Sequence, residues 1–454
     1  MDSANSVNSK APIQLDQDRA GFASPAGIPS DHGGRIWEAA LNLGVRPDEI
    51  LDYSANLNPL GPPPGVLRVI EEHLGEIVHY PEPFSSTLAR AIASHRDVSP
   101  SMVVVGNGAS ELIYSIVRAI RPKTVLIPSP TFSEYQRAAL VSSAKTDLIP
   151  VWDAETARID VGTIAQVLRR KHYDMLFLCN PNNPTGNLLD PDSVRFIWEA
   201  CVEAKTYMIL DESFLGFVDN AEALSGLALL RSKKAENLVI LDSFTKLFSL
   251  PGLRLGYAIG DPKVLVAVNA GRDPWSVNRL AQVAAIRCLE ETGYVLQTQK
   301  TIAAARSDLI GRLRRLDETV DIAGAIRPFD SAPNFILCRL GDGITSRDLA
   351  TLTAKEGILI RDCSTFPYLG TSAGPDGPKG VSLAIPSRLD KQRTMADKNK
   401  LNPLAACGVA YGPGAAEGCR FIRLAVRLPA DNERLVAVLA QAVRYLRATR
   451  RSFV

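Results

Sequence analysis

Apolar and β-branched residues fall in short runs along the first two thirds of the chain, at residues 102–105, 124–127, 175–179, 207–210 and 238–241. Each run ends in a polar segment. Between them, residues 111–120 and 194–204 place apolar side chains at the spacing of an amphipathic helix. Strand-like runs alternating with helices predict a mostly parallel sheet covered on both faces, joined by right-handed crossovers. Sheets of that kind bind ligands in the crevice outside the C-terminal ends of their strands. The five polar segments are therefore expected to build one site.

The pattern changes beyond about residue 295. A long helix over 294–316 is followed by strand-like 334–339, a helix over 346–356, strand-like 358–361 and 421–426, and a closing helix over 432–449. These elements predict a second, smaller α+β domain. The expected organisation is a mobile tail over 1–30, a segment over 31–70 that packs on the smaller domain, a large domain over 71–295, and the small domain over 296–454. Residues 370–418 interrupt the last of these. They are rich in Gly, Pro, Ala, Ser and Lys and show little periodicity, so they read as a partly disordered insertion, since long structureless loops are uncommon inside compact domains.

A chain of 454 residues is too long for one simple core, which agrees with two domains. The formal net charge of +2 argues against a dedicated nucleic-acid binder. The seven cysteines, at 179, 201, 288, 338, 363, 407 and 419, form no C-x-x-C pair, and there are only five histidines, so neither a disulfide frame nor a metal site is expected. A reducing, cytoplasmic compartment is the simplest setting. No stretch is apolar enough to span a membrane. The first thirty residues lack the apolar region of a secretory leader and contain Asp2, Asp16 and Asp18.

The most telling stretch is Ser243-Phe244-Thr245-Lys246-Leu247-Phe248-Ser249-Leu250-Pro251-Gly252-Leu253-Arg254-Leu255-Gly256-Tyr257. It sets one amine beside two hydroxyls, with a guanidinium eight positions further on. An aldehyde cofactor that carries a phosphate needs such a set, the amine to form the imine and the others to hold the dianion. The segment resembles the cofactor-lysine motif of fold-type I pyridoxal-phosphate enzymes, within the aminotransferase class I/II superfamily. The resemblance implies an α/β fold, with a mostly parallel seven-stranded sheet sandwiched by helices in the large domain and a smaller α+β domain beside it. It makes Lys246 the Schiff-base residue, with Ser243, Arg254 and Thr245 as phosphate ligands.

The other segments fit the same cofactor. Gly106-Asn107-Gly108-Ala109-Ser110-Glu111 joins a strand to a helix, where free N–H groups can meet an anion. Gly108, Ala109 and Ser110 are thus candidate phosphate contacts, although a plain strand–helix turn would read alike. In Pro128-Ser129-Pro130-Thr131-Phe132-Ser133-Glu134-Tyr135 the family's stacking aromatic falls at Phe132, which as a bare residue could equally be core. Asn180-Pro181-Asn182-Asn183-Pro184-Thr185-Gly186 is specific to the superfamily. By resemblance, Asn183 donates to the cofactor's phenolic oxygen, and Pro184 belongs to unusual peptide geometry. Asp211, in Asp211-Glu212-Ser213-Phe214, is either a helix cap or the carboxylate that pairs with the pyridinium nitrogen. Tyr80, in His79-Tyr80-Pro81-Glu82-Pro83, matches a tyrosine that reaches the cofactor phosphate of a neighbouring subunit, which implies a homodimer; a tyrosine in a proline-bounded turn is the other reading.

Within the superfamily, two families are similar, threonine-phosphate decarboxylase of cobalamin synthesis and histidinol-phosphate aminotransferase. Three features lean toward the first. His32-Gly33-Gly34 followed by Asp52-Tyr53-Ser54-Ala55-Asn56-Leu57-Asn58-Pro59-Leu60-Gly61 resembles its N-terminal signature. Phe214 stands where the aminotransferases usually carry tyrosine. Gly357-Ile358-Leu359-Ile360-Arg361-Asp362-Cys363-Ser364 resembles the run into its substrate arginine. The resemblance implies that Arg361 and Arg423 hold the substrate phosphate, with His32 as a further contact, and that L-threonine O-3-phosphate loses CO2. Arg361 could otherwise be a strand-end ion pair and His32 a residue of the tail. Arg420 and Arg427 compete with Arg423 for its role, because residues 370–418 intervene between the two arginines.

Overall fold

The computed structural model describes residues 32–232, 237–369 and 418–451. The expected tail, and the expected insertion up to residue 417, lie outside them. The larger sheet has seven strands: β1 (Val103–Gly106), β2 (Thr124–Ser129), β3 (Lys145–Pro150), β4 (Met175–Cys179), β5 (Tyr207–Asp211), β6 (Leu238–Ser243) and β7 (Gly256–Gly260). Their spatial order is β1-β7-β6-β5-β4-β2-β3. β7 runs antiparallel to both its neighbours, and the other pairings are parallel.

Five of these strands coincide with the apolar runs, because both faces of the sheet are buried and every position must be apolar. Within β4, Leu176 and Leu178 enter the core on one face, and Met175, Phe177 and Cys179 enter the core on the other. The two strands the pattern did not announce have other compositions. β3 carries Lys145, Thr146 and Asp147 at an edge, and β7 begins and ends on glycine. Helices start earlier than their apolar periodicity. The helix Pro191–Ala204 begins at a proline after Asp190, whose carboxylate accepts from the Ser193 N–H at 2.7 Å.

The smaller sheet holds β8 (Ile326–Pro328), β9 (Phe335–Leu340), β10 (Arg361–Asp362) and β11 (Phe421–Ala425), in the order β8-β9-β11-β10, all antiparallel. Helices Thr292–Asp317, Ser346–Lys355 and Pro429–Arg451 accompany it. The N-terminal segment divides between the two cores rather than covering only the smaller one. Leu51–Asp52 pairs in parallel with Ile358–Leu359, and Tyr53 is fully buried in the smaller core. The helix Pro64–Glu72 instead packs on Arg279–Glu290, with Val66 in the larger core. Val66 is enclosed there because that face of the helix meets the large sheet's cover. None of the described helices is long and apolar enough to cross a membrane. Among the described residues no group of three or more His, Cys, Asp or Glu could hold a metal, and the six described cysteines are free thiols.

Tyr53 ties the two ends of the folded chain together. Its hydroxyl donates to Asn432 Oδ1 at 3.0 Å inside the smaller core. Tyr53→Phe leaves that acceptor without its buried donor, and chemical denaturation is expected to show a loss of about 1–2 kcal/mol.

Candidate active site

All five motif segments lie past the C-terminal ends of β1, β2, β4, β5 and β6. The first supplies a helix N-terminus. Gly108 begins the 13-residue helix Gly108–Ile120, and the residue before it, Asn107, makes no side-chain cap. The first N–H groups, those of Gly108, Ala109 and Ser110, are therefore open to an anion. Gly108 has φ +81°, and a Cβ placed on it would lie 2.6 Å from Arg254 Nη2. The guanidinium thus sits directly against the helix start. β7 also presses close, since a Cβ on Gly256 would lie 2.5 Å from the Ala109 nitrogen.

Arg254 is exposed, and its one hydrogen bond, to the Pro251 carbonyl, is long at 3.4 Å. Ser243 Oγ accepts from the Thr245 N–H at 3.2 Å and caps the one-turn helix Phe244–Leu247. Both hydroxyls, Ser243 Oγ and Thr245 Oγ1, donate weakly to the Leu255 carbonyl, at 3.4 and 3.2 Å. The helix-start N–H groups and the Arg254 guanidinium lie together, and the two hydroxyls share the Leu255 carbonyl just before β7.

Lys246 is partly open to the crevice by surface area, yet burial is the largest influence on its amine. Burial, then Arg254 and Arg423, lower its pKa from the ordinary lysine value to about 8, against a smaller opposite pull from Asp211. Asp211 is buried at the end of β5. Its Oδ2 accepts from the Tyr135 hydroxyl at 2.7 Å and its Oδ1 from the Ser213 N–H at 3.0 Å. Burial and the Asp211 charge hold the Tyr135 phenol well above its usual range, so it remains a donor. Tyr135 was not singled out in the sequence; it lies three residues beyond Phe132, in the helix Ser133–Val141. It stacks on Phe177 with centroids 4.7 Å apart, and the half-buried Phe132 meets its edge at 5.5 Å.

The asparagine–proline segment is braced rather than loose. Asn182 Nδ2 donates to the Pro130 carbonyl and to Thr185 Oγ1, both at 2.9 Å, and Thr131 Oγ1 donates to Asn182 Oδ1 at 2.9 Å. The Ser129–Pro130, Asn180–Pro181 and Asn183–Pro184 peptides are all cis. Asn183 Oδ1 accepts from Arg423 Nη1 at 2.5 Å, so this segment touches Arg423 of the smaller sheet directly.

Arg361 and Arg423 face each other across the antiparallel strands β10 and β11. Both are buried. Arg423 Nη2 donates to the Ser54 carbonyl at 2.6 Å, and its Nε is buried without a partner. Arg361 Nη2 donates to Thr365 Oγ1 at 3.0 Å. Each guanidinium lies over an aromatic ring, Arg361 over Phe366 and Arg423 over Phe335, both at 5.4 Å. Burial lowers the Arg423 pKa to about 10, and Arg361 adds to the shift; a guanidinium there still stays charged at neutral pH. The competing arginines are engaged elsewhere. Arg420 pairs with Asp342, and Arg427 pairs with Asp431 at 3.0 Å. Phe214 is buried in the smaller core, its ring edge-on to Phe335 at 5.0 Å. Tyr80 stands apart from this cluster on the surface, 82% exposed and 5.1 Å from the Trp275 ring. His32 is exposed at the edge of the described chain.

Comparison with known proteins agrees with this geometry. The model of the family "Aminotransferase class I and II" matches residues 48–375. Threonine-phosphate decarboxylase of Salmonella typhimurium is 32% identical over 370 residues, covering 81% of this chain and 95% of that protein. Histidinol-phosphate aminotransferase of Methanothermobacter thermautotrophicus is 31% identical over 343 residues, covering 74% and 87%. The solved histidinol-phosphate aminotransferase of Sinorhizobium meliloti, in complex with pyridoxal-5'-phosphate, shares the fold with a TM-score of 0.70 at 21% identity, covering 95% of this chain and 100% of that one.

Pyridoxal 5'-phosphate is the cofactor, and the residues present fit it. The open helix start with Arg254, Ser243 and Thr245 would hold its phosphate, Asp211 its ring nitrogen, and Asn183 its phenolic oxygen. A neutral Lys246 amine would be the group that captures the aldehyde. Capture by cofactor-free protein is therefore expected to quicken with pH about a midpoint near 8, rather than near the ~10.4 of an exposed lysine. Lys246→Ala should show no capture at any pH, read by visible absorbance. The chain belongs to the aminotransferase class I and II family of pyridoxal-phosphate enzymes and has their fold-type I architecture.

Proposed function

We propose that the protein removes CO2 from L-threonine O-3-phosphate to give (R)-1-amino-2-propanol O-2-phosphate, a unit of the cobalamin nucleotide loop. The observation that carries this reading is the opposed Arg361–Arg423 pair, two buried guanidiniums whose hydrogen bonds go to Thr365, Asn183 and Ser54 and to no carboxylate. Two such forks suit a phosphate dianion. His32 is a further contact to that phosphate.

The bound cofactor supplies an electron sink for the pair left on the substrate's α-carbon. What the chain decides is which bond lies perpendicular to the cofactor ring, because only that bond's electrons overlap the π system. A transaminase anchors the carboxylate and presents the C–H bond. Here Arg361 and Arg423 are given to the ester phosphate, which leaves the carboxylate free to take the perpendicular position. The bond from the α-carbon to the carboxylate breaks and CO2 departs. Lys246, whose pKa is lowered to about 8, then delivers a proton to the α-carbon. Asp211, steadied by Tyr135, would hold the ring nitrogen in its protonated form. Phe214 offers no hydroxyl to the phenolic oxygen and instead supports Phe335, the ring beneath Arg423.

The working form is a homodimer in the cytoplasm, with a site completed by Tyr80 of the neighbouring subunit. Support comes from the exposed apolar stripe Ile77, Val78, Tyr80 and Trp275, which is 66, 76, 82 and 45% exposed. Tyr80→Phe removes one hydrogen bond to the cofactor phosphate, and the cofactor dissociation constant is expected to rise about fivefold, near 1 kcal/mol. A monomer at micromolar concentration in light scattering would refute the shared site.

The reaction itself is tested by supplying threonine phosphate without any keto acid. Stoichiometric release of CO2 and aminopropanol phosphate is expected. Turnover that requires 2-oxoglutarate, with histidinol phosphate as donor, would make the protein an aminotransferase instead.

A further inference from the structure

The helix that carries Lys246 is a single turn, Phe244–Leu247. A helix so short cannot pair its own last carbonyls. The Lys246 carbonyl accepts from the Ser249 N–H at 3.3 Å, and Asn58, nearly two hundred positions away in sequence, adds a second donor there and a side-chain donor to Leu247. The Asn58 backbone N–H donates to the Lys246 carbonyl at 3.2 Å, and its Nδ2 donates to the Leu247 carbonyl at 2.8 Å. The same Nδ2 meets Tyr294 Oη at 2.8 Å and Thr298 Oγ1 at 2.9 Å, while Oδ1 accepts from the Leu60 N–H at 3.1 Å. The side chain is buried, and every polar atom of its amide is engaged.

Four residues upstream on the same strap, the Ser54 carbonyl accepts from Arg423 Nη2 at 2.6 Å. Ser54 is itself fixed by Asp52 Oδ1, which accepts from its N–H at 2.7 Å and its hydroxyl at 2.6 Å. One short piece of backbone therefore grips the lysine turn at one end and the substrate arginine at the other. These contacts join the two sheets' contributions to the site without passing through either core.

We propose that Asn58 is a positioning residue, which caps the Lys246 turn and, through the run back to Ser54, sets the lysine amine relative to the Arg423 guanidinium. The inference rests on Lys246 as the cofactor lysine and is indifferent to which bond of the substrate is broken. Without the side-chain cap, the turn loosens and the amine leaves its buried place beside Arg254 and Arg423.

The test uses Asn58→Ala in the full chain, stripped of cofactor and resupplied with pyridoxal phosphate. The pH midpoint of aldehyde capture is expected to rise by about half a unit. In the reconstituted enzyme kcat should fall about tenfold, with KM changed less than about threefold. Gln299→Ala is the control, since it removes buried bonds to the Gly216 and Val218 carbonyls on the same long helix; it should lower stability and leave the midpoint in place. If Asn58→Ala does not fold, Asn58→Ser is held to the same two expectations. An unchanged midpoint with only a lower melting temperature overturns the proposal. Because the midpoint is read without substrate, an error in the reaction assigned above would appear in the products and leave this measurement untouched.

Discussion

A buried amine beside two guanidiniums is electrostatically unfavourable until an anion arrives. Lys246 lies under the influence of Arg254 and Arg423, and Arg361 stands opposite Arg423. Asp211 offsets only part of this concentration of positive charge. The remainder is matched to an anion, and the phosphate of the cofactor is one. Burial first, and then the same repulsion that would weaken an empty site, lower the pKa of the lysine.

Such an arrangement survives only where the surroundings are rigid. The parallel strands bring five loops to one edge, and the loops are bonded to one another as well as to the sheet. Asn182 links the segments after β2 and β4, Tyr135 links those after β2 and β5, and Asn183 meets Arg423 from the smaller sheet. Aromatic faces beneath the Arg361 and Arg423 guanidiniums help to bury their charges.

Much of this was legible in the chain, for identifiable reasons. Strands buried on both faces appear as unbroken apolar runs, so β1, β2, β4, β5 and β6 were visible, whereas polar-edged β3 and glycine-bounded β7 were not. The lysine, asparagine and aspartate motifs are local, and local patterns are what a sequence shows. Tyr135, Ser54 and the double role of Asn58 depend on contacts across the fold and had no periodicity to announce them. Arg423 was legible as an arginine in a strand, but its register opposite Arg361, and the acidic partners of Arg420 and Arg427, were visible only in the fold.

The way β11 is gripped has a consequence for how this chain can change over time. β11 is aligned by β9 on one side as well as β10 on the other, so Arg423 is aimed by its neighbours in the sheet and not by the length of chain that precedes it. Residues can be gained or lost between the two arginines without retuning the clamp, provided whole strands stay in step. The register of the sheet, rather than the spacing along the chain, is thus what fixes the distance between the two guanidiniums.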